Sequence, residues 1–234
     1  MTRPVVVVAA HADDEVLGCG GTIARLAREG RSVHVLLLAD GESSRSRERG
    51  EPIDPGRVVQ RAAAANAACR TLGCASVEVL DLPDNRLDQL DLLDVVRRIE
   101  DFLKRHHPST VFTHHSGDVN IDHRVTHEAV IAACRPQPGS PVEELIFFEV
   151  PSSTEWRPPT SGEPFNPNLF VDISETLDIK FEALRFYGDE LREFPHSRSL
   201  VAIQSLAQWR GATAGLEAAE AFVIGRKIVR KPGA

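Results

Sequence analysis

Residues 5–15 read VVVVAAHADDE, joining an unbroken apolar run to a cluster of imidazole and acidic side chains. The apolar part, Val5 to Ala10, is too short to cross a bilayer and is typical of a strand buried on both faces. The polar part, from His11 to Glu15, follows directly where that strand ends. Because ligands of open α/β sheets bind outside the carboxyl ends of the strands, the stretch predicts a parallel sheet and the position of its site.

Short β-rich runs alternate with helical patterns through the first half of the chain. Strands are predicted at 5–10, 33–38, 77–82 and 111–113, and helices at 21–29, 57–72, 92–105 and 124–134. The less regular second half has predicted strands at 145–150, 169–171 and 221–224, and helices at 199–209 and at 174–191 with Ser174 as N-cap. This alternation predicts a single domain over residues 1–234, an α/β fold of Rossmann-like, three-layer, doubly wound type, with a mainly parallel sheet and helices on both faces.

The composition is that of a globular protein and excludes some classes of function. Of the 234 residues, 42% are hydrophobic and 26% are charged, and the formal net charge is −7. Such a mildly acidic chain is not expected to bind nucleic acid, which usually selects a basic face. No signal peptide is visible and the four cysteines are scattered, so we expect a cytoplasmic protein without stable membrane insertion.

A set of histidine and carboxylate side chains in two polar stretches suits a divalent cation. His11 and Asp14 are three residues apart where the first strand turns into a helix, and His123 begins the helix after the fourth strand. Catalytic zinc typically has three protein ligands and one open position, so these three residues are the candidate ligands. Asp13 is left beside them as a candidate general base. Spacing alone leaves an alternative open, in which Asp13 or Asp14 caps the helix and His123 is a surface histidine.

These motifs resemble those of the PIG-L/LmbE-like de-N-acetylases. The stretch AHADDE at 10–15 is similar to their (P/A)HPDDE signature, with Ala12 in place of the usual proline, and NIDH at 120–123 is similar to their HPDH signature. Further similar stretches lie at 82–86, 148–156 and 193–196, and they extend the resemblance over nearly the whole chain. The resemblance implies a zinc-dependent hydrolase that removes the acetyl group from an N-acetylglucosamine-type sugar. Fe²⁺ is an alternative ion for the same ligands.

The resemblance also implies a role for each motif residue. The three candidate ligands named above bind the zinc, Asp13 is the general base, and Asp122 supports a neighbouring imidazole or ligand. Asn120 stands where the family often has a histidine that helps to stabilise the oxyanion. An amide can donate a hydrogen bond to an oxyanion but cannot deliver a proton, so Asp13 or His196 is the candidate acid.

Substrate contacts are expected from two long loops, at 40–55 and 151–167, and from polar residues that follow the strands. Arg61 and Arg86 are candidates to bind sugar hydroxyls or a phosphate, with surface salt bridges as the alternative. Asp84 is a candidate acceptor for ring hydroxyls. A wall on which a sugar stacks is predicted from Ser152, Glu155 and Trp156.

Two other functions stay open at this point. The same metal site suits the hydrolysis of another amide, such as that of a sugar or thiol conjugate. A non-catalytic Rossmann-type module that binds a sugar or nucleotide is the third interpretation, although it needs neither three metal ligands nor a spare carboxylate. The expected partner is a small amino-sugar substrate, free, nucleotide-linked, lipid-linked or part of a natural-product glycoside. The sequence leaves a homo-oligomer open.

Overall fold

A seven-stranded sheet forms the centre of the protein. The structure, a computed structural model, describes residues 3–42 and 54–231, so most of the predicted loop at 40–55 lies outside the described residues. The strands are β1 (Val5–Ala9), β2 (Val33–Ala39), β3 (Ser76–Leu82), β4 (Thr110–His114), β5 (Glu144–Phe148), β6 (Leu169–Asp172) and β7 (Ala219–Lys227). The helices are α1 (Asp14–Arg28), α2 (Pro55–Leu72), α3 (Leu92–His106), α4 (Ile121–Ala133), α5 (Leu177–Arg185) and α6 (Leu200–Ala212), with a short 3-10 helix at Leu87–Gln89.

The strands lie in the order β3-β2-β1-β4-β5-β7-β6. The first five strands along the chain are parallel, and β7 runs antiparallel to both of its neighbours, β5 and β6. The strand order reverses between β1 and β4, and the crevice beyond the carboxyl ends of such a strand pair is where α/β sheets bind ligands. The predicted doubly wound, mainly parallel fold is confirmed.

Two apolar layers cover the two faces of the sheet. One joins the sheet to α1, α2, α5 and α6, and the other joins it to α3 and α4. The five residues of β1 alternate between these layers and none is more than 1% exposed, which explains why the strand reads as an unbroken apolar run. In the described part of the chain, no helix combines the length and apolarity that a bilayer crossing requires.

Helix α1 begins at Asp14, ahead of the predicted start at residue 21, and packs unusually close to the sheet. A Cβ atom added to Gly18 would lie 2.4 Å from the ring of Phe148, and one added to Gly21 would lie 2.8 Å from Ile173. Contacts this short leave no room for a side chain. The glycines therefore let the helix approach the strands, which places its first turn against the carboxyl end of β1.

The prediction of a helix over 174–191 is wrong at both ends. Helix α5 covers Leu177–Arg185 alone. Ser174, the predicted N-cap, lies outside the helix, whose N-cap position is Thr176. The chain then turns, and the segment 186–190 leaves the helix axis. Two side chains of this segment contact residues of the functional site described below.

Candidate metal and catalytic site

Three predicted ligand side chains converge beyond the carboxyl ends of β1 and β4. His11 Nδ1 lies 3.1 Å from Asp14 Oδ2 and 3.3 Å from His123 Nε2. His123 Nε2 lies 3.2 Å from the same Asp14 oxygen. Because ligand atoms about 2.0–2.1 Å from a tetrahedral zinc stand about 3.3–3.4 Å apart, this spacing suits one ion bound by all three side chains.

The Asp14 carboxylate supports a cation site next to its two oxygens. Asp14 is completely buried, and its Oδ1 has no hydrogen-bond partner among the residues that the structure describes. Burial opposes ionisation, but the charge of His123 and hydrogen bonds to His11 and His123 hold the pKa of Asp14 well below its usual value. An ionised, buried oxygen without a donor is stabilised by a metal ion.

The second ring nitrogen of His11 faces two carboxylates. His11 Nε2 lies 3.1 Å from both Asp84 Oδ1 and Asp122 Oδ2. Asp122 is held in turn, because it accepts hydrogen bonds from the backbone N–H groups of Asn85 at 2.7 Å and Leu87 at 2.9 Å. These carboxylates favour the tautomer protonated at Nε2, which leaves Nδ1 available as a ligand. Asp84, predicted to contact a sugar, thus also contacts a candidate ligand.

His123, like His11, has a carboxylate next to its second ring nitrogen, and this residue, Asp118, was not predicted from the motifs. Its Nδ1 lies 3.1 Å from Asp118 Oδ2, and Asp118 also accepts hydrogen bonds from the hydroxyls of Ser153 and Thr154. Although burial opposes ionisation, the hydrogen bond to His123 lowers the pKa of Asp118 to about 2. Asp118 therefore orients His123 so that Nε2 faces the other two candidate ligands. Its position in the polar loop after β4 is the one sequence signal that pointed to it.

Asp13 lies beside the three candidate ligands in a strained backbone conformation. Its φ of 121° lies in a region that non-glycine residues rarely adopt. Its N–H donates to Glu15 Oε2 at 3.0 Å, and its Oδ2 accepts a hydrogen bond from Arg198 Nη1 at 2.8 Å. Burial raises the pKa of Asp13 to about 7, against the lowering effect of the Arg198 cation. A carboxyl group that titrates near neutrality can both accept and return a proton.

Arg198 and Glu190 reach the site from the C-terminal third of the chain. Arg198 Nε donates to Ser152 Oγ at 2.7 Å, and Arg198 Nη1 lies 3.6 Å from Glu190 Oε2. Glu190 also pairs with Arg61, with 2.5 Å between Oε1 and Nη2. No local pattern predicts these contacts, because Arg198 is 185 residues from Asp13 and Glu190 lies in a segment predicted as helix.

A cavity of about 120 Å³ opens at this cluster, and we call it the catalytic cavity. Its lining includes the predicted residues His11, Asp13, Arg61, Asp84 and Asn120. Asn120 accepts a hydrogen bond from the Asp122 N–H at 2.8 Å and so caps α4, while its Nδ2 donates to Asn85 Oδ1 at 3.1 Å. Arg86 lies half-buried before the 3-10 helix and outside this lining.

The buried side chains of Asp14, Asp122 and His123 do not line the cavity either. Four further predicted residues outside the lining lie around Arg198 and the loop after β5: Ser152, Glu155, Trp156 and His196. His196 Nδ1 accepts a hydrogen bond from the Arg198 N–H at 3.0 Å, and its ring meets Trp156 edge-on at 5.6 Å. Glu155 accepts a hydrogen bond from the Ser152 N–H at 2.7 Å. Trp156 is 53% exposed, so its ring remains open to a ligand. The roles predicted for these residues stay predictions.

A family profile described as GlcNAc-PI de-N-acetylase matches residues 6–134, more than half of the chain and a range that contains Asp13 and all three candidate ligands. The chain belongs to the GlcNAc-PI de-N-acetylase family. The resemblance inferred from the two short motifs is therefore confirmed for the family. The profile ends within the chain, so Glu190 and Arg198 lie outside the matched range.

Three relatives are similar over most of this chain. One is the uncharacterized deacetylase YaiS of Escherichia coli K12, with 28% identity over 78% of this chain and 89% of the relative. Another is the probable N-acetyl-alpha-D-glucosaminyl L-malate deacetylase 2 of Bacillus cereus, with 29% identity over 79% of this chain and 82% of the relative. The third is 4-oxalmesaconate hydratase of Pseudomonas putida KT2440, with 32% identity over 78% of this chain and 72% of the relative. The names of these similar chains thus cover more than one reaction.

A solved structure supports the fold assignment. The N,N′-diacetylchitobiose deacetylase of Pyrococcus horikoshii superposes with a TM-score of 0.75, and the match covers 96% of this chain and 84% of that one. The two sequences are 20% identical. At this identity the similarity establishes a shared fold, and the function has to be argued from the site itself.

Proposed function

We propose that this protein is a metal-dependent hydrolase that removes the N-acetyl group from an N-acetylglucosamine-type sugar or its conjugate. The observation that carries the proposal is the Asp13 carboxylate beside three convergent ligand atoms at a polar cavity. The relative named as an N-acetylglucosaminyl L-malate deacetylase supports the substrate class. Our proposal includes zinc as the metal, with Fe²⁺ as the alternative, and one domain over residues 1–234. It also places the enzyme in the cytoplasm.

In this proposal, one set of site residues binds the metal ion and Asp13 transfers the proton. His11, Asp14 and His123 would hold a divalent ion, which when bound supplies Lewis acidity for the acetamide carbonyl. Asp13 takes a proton from the attacking water, whose oxygen adds to the carbonyl carbon. The C–N bond then breaks as Asp13 returns the proton to the sugar nitrogen, giving a free amine and acetic acid, which releases its proton to solvent as acetate. Arg198 holds the carboxylate of Asp13 in place throughout.

We assign oxyanion stabilisation in part to Asn120. A primary amide carries two N–H donors, and Asn85 receives one of those of Asn120. The other is proposed to donate to the developing oxyanion, since Asn120 lines the catalytic cavity. Loss of one such donor lowers kcat by roughly 10²–10³. We assign the return of the proton to Asp13 and not to His196, because His196 lies outside the cavity lining.

Two substitutions test the roles of Asp13 as the base and His123 as a metal ligand. The protein is purified without added metal, its metal content is measured, and it is incubated with N-acetyl sugars and their conjugates. Mass spectrometry then detects loss of an acetyl group. We expect Asp13→Asn to retain the metal and to lose roughly 10²–10⁴ in kcat, and His123→Ala to lose both metal and activity. Wild-type turnover by Asp13→Asn would show that another group is the base. Asp101→Asn, on the exposed face of α3, is the matched control.

The relative named 4-oxalmesaconate hydratase favours a second candidate function, the addition of water to a double bond. The same ligands and Asp13 suit activation of water in both reactions, but hydration breaks no C–N bond. Incubation with 4-oxalmesaconate alongside the sugars and a thiol-conjugate amide separates the candidates. Hydration of 4-oxalmesaconate without release of acetate from any sugar would replace the first proposal with the second.

A further inference from the structure

Helix α1 is interrupted in its second turn. Cys19 has a φ of −149° and a ψ of 22°, which are not helical values. The residues before the interruption are 14–18, and we call them the ligand turn because the candidate ligand Asp14 begins it. In a regular α-helix, the Gly21 N–H would donate to the carbonyl four residues before it, that of Leu17. Buried backbone groups beside an interruption need partners from elsewhere.

A buried ion pair supplies these partners. Lys180 of α5 and Glu220 of β7 are 4% and 5% exposed, with 2.7 Å between Nζ and Oε1. Lys180 Nζ donates to the Leu17 carbonyl at 2.8 Å. Glu220 accepts the N–H of Gly21 at 2.9 Å and that of Thr22 at 2.7 Å. The pair thus binds both backbone groups that would form one hydrogen bond of a regular helix.

The charges of this pair match the two helix ends that the interruption creates. The carboxyl end of a helical segment carries a partial negative charge, and the amino end carries a partial positive one. The ammonium of Lys180 lies at the carboxyl end of the ligand turn, and the carboxylate of Glu220 lies at the amino end of the remaining helix. The pair therefore stabilises the interrupted form of α1 relative to a straight helix.

Stability of the fold alone is a poor reason for a buried ion pair. Taking two charges out of water costs free energy that their attraction often fails to recover, and apolar side chains of similar size are frequently as stable. Apolar side chains cannot, however, bind the carbonyl and N–H groups beside Cys19. The pair therefore selects one conformation of α1.

This conformation bears on the candidate metal site through the ligand turn. Asp14 Oδ2 lies 3.2 Å from His123 Nε2, and Glu15 accepts the backbone N–H of the proposed base. Leu17, whose carbonyl accepts from Lys180, lies three residues after Asp14, which is nearly one helical turn. A change of direction at Leu17 therefore moves the Asp14 carboxylate relative to His123.

We propose that Lys180 and Glu220 are positioning residues for the metal site. By binding the backbone on both sides of the interruption, they fix the direction of the ligand turn and thereby the place of Asp14 among the three candidate ligands. Without the pair, α1 closes its own hydrogen bond between Leu17 and Gly21, and the ligand turn tilts toward the axis of the remaining helix. This inference rests on the proposed function, because it assumes that Asp14 binds an ion.

The test removes the pair and measures the affinity for metal. Lys180→Met/Glu220→Leu replaces both side chains by apolar ones of similar size, so no buried charge is left unpaired. Competition with a chromogenic chelator gives the Kd for Zn²⁺, which we expect to rise by about tenfold. The visible spectrum of the Co²⁺-loaded variant should differ from that of the wild type, because the geometry of the ligands changes. Glu220→Gln, which keeps the shape of the side chain, should raise the Kd by a smaller factor.

A second ion pair provides the matched control. Arg210 donates two hydrogen bonds to Glu149, at 2.8 and 2.6 Å, and the two side chains are 19% and 14% exposed. In the described part of the chain, neither side chain hydrogen-bonds to α1. Arg210→Met/Glu149→Leu therefore removes an ion pair of the same kind and should leave the Kd for Zn²⁺ and the Co²⁺ spectrum unchanged.

The outcomes separate the inference from the function on which it rests. A wild-type protein that binds neither Zn²⁺ nor Co²⁺ overturns the proposed metal site itself. A folded Lys180→Met/Glu220→Leu variant with the wild-type Kd and spectrum overturns the positioning role alone. An equal rise of the Kd in the control variant also overturns that role, because any lost ion pair would then loosen the site. If circular dichroism shows that the double variant does not fold, the Kd of Glu220→Gln decides in the same way.

Discussion

Tyr187 donates a hydrogen bond to the buried carboxylate of Glu15, with 2.6 Å between the two oxygens. The other oxygen of Glu15 accepts the backbone N–H of Asp13 at 3.0 Å. A chain of hydrogen bonds thus runs from the segment after α5 to the proposed base, and it holds Asp13 at its φ of 121°. Because rates depend steeply on the placement of the reacting groups, Glu15 and Tyr187 are positioning residues for Asp13.

Tyr187→Phe tests this chain. The variant leaves Glu15 Oε1 buried without its donor, which should lower the free energy of unfolding by about 1–3 kcal/mol. We also expect kcat to fall by about tenfold with KM little changed, because the base moves while the sugar contacts stay. Urea denaturation and steady-state kinetics measure the two effects. A variant that is less stable but has wild-type kcat would give the hydroxyl a structural role only.

Asp118 should control the affinity for the metal. In Asp118→Ala, His123 loses the carboxylate that orients its ring, and we expect the metal Kd to rise by about 10–100-fold. Competition with a chromogenic chelator measures this Kd, and Asp101→Asn again provides an exposed control. An unchanged Kd would mean that packing alone orients His123.

Arg198 should set the pH dependence of turnover. Its cation lowers the pKa of Asp13, which burial raises to about 7. Removing the cation must raise that pKa further, so the acid limb of kcat/KM in Arg198→Met should move to higher pH. Arg198→Lys, which keeps a positive charge, should show a smaller movement. A displacement of the limb to lower pH in Arg198→Met would contradict the assignment of Asp13 as the titrating base.

His34 and His106 should make the fold sensitive to acid. Their rings stack with 3.9 Å between the centroids. Burial lowers the pKa of both histidines. The charge of His106 lowers the pKa of His34 further, and the charge of Arg105 does the same for His106. The unfolded chain then binds more protons than the folded one, so stability is present above about pH 6.5 and falls as the pH drops below it. Glu78 partly offsets the effect on His106.

The matched variants are His106→Phe and His107→Asn. We expect His106→Phe to weaken the dependence of Tm on pH between about 7 and 5, because one of the two protonations is removed. His107→Asn replaces the neighbouring histidine, whose φ of 47° asparagine tolerates, and should leave the dependence intact. Thermal denaturation followed over that pH range measures both. Equal slopes for the wild type and His106→Phe would exclude the ring pair as the origin.

The parts of the site that could be predicted from sequence are those next to a strand end. His11 and Asp13 follow β1 directly, and the parallel sheet brings them to the edge where His123 begins α4. Arg198 could not be predicted, because its contact with Asp13 depends on how a remote loop folds back. The contact of Tyr187 with the site was not predicted, because Tyr187 fell within the helix predicted over 174–191. The apolar spacing of the sequence continues past Arg185, where that helix ends.

The place of β7 in the sheet bears on how the protein reaches its native state. This last strand, Ala219–Lys227, lies between β5 and β6 instead of at an edge. Until it has been synthesised, β5 and β6 have no partner on their shared side, and their exposed backbone groups can pair with another chain. Folding of this sheet on the ribosome is therefore expected to stay incomplete until β7 has emerged, and a chain that stops before Ala219 is expected to aggregate.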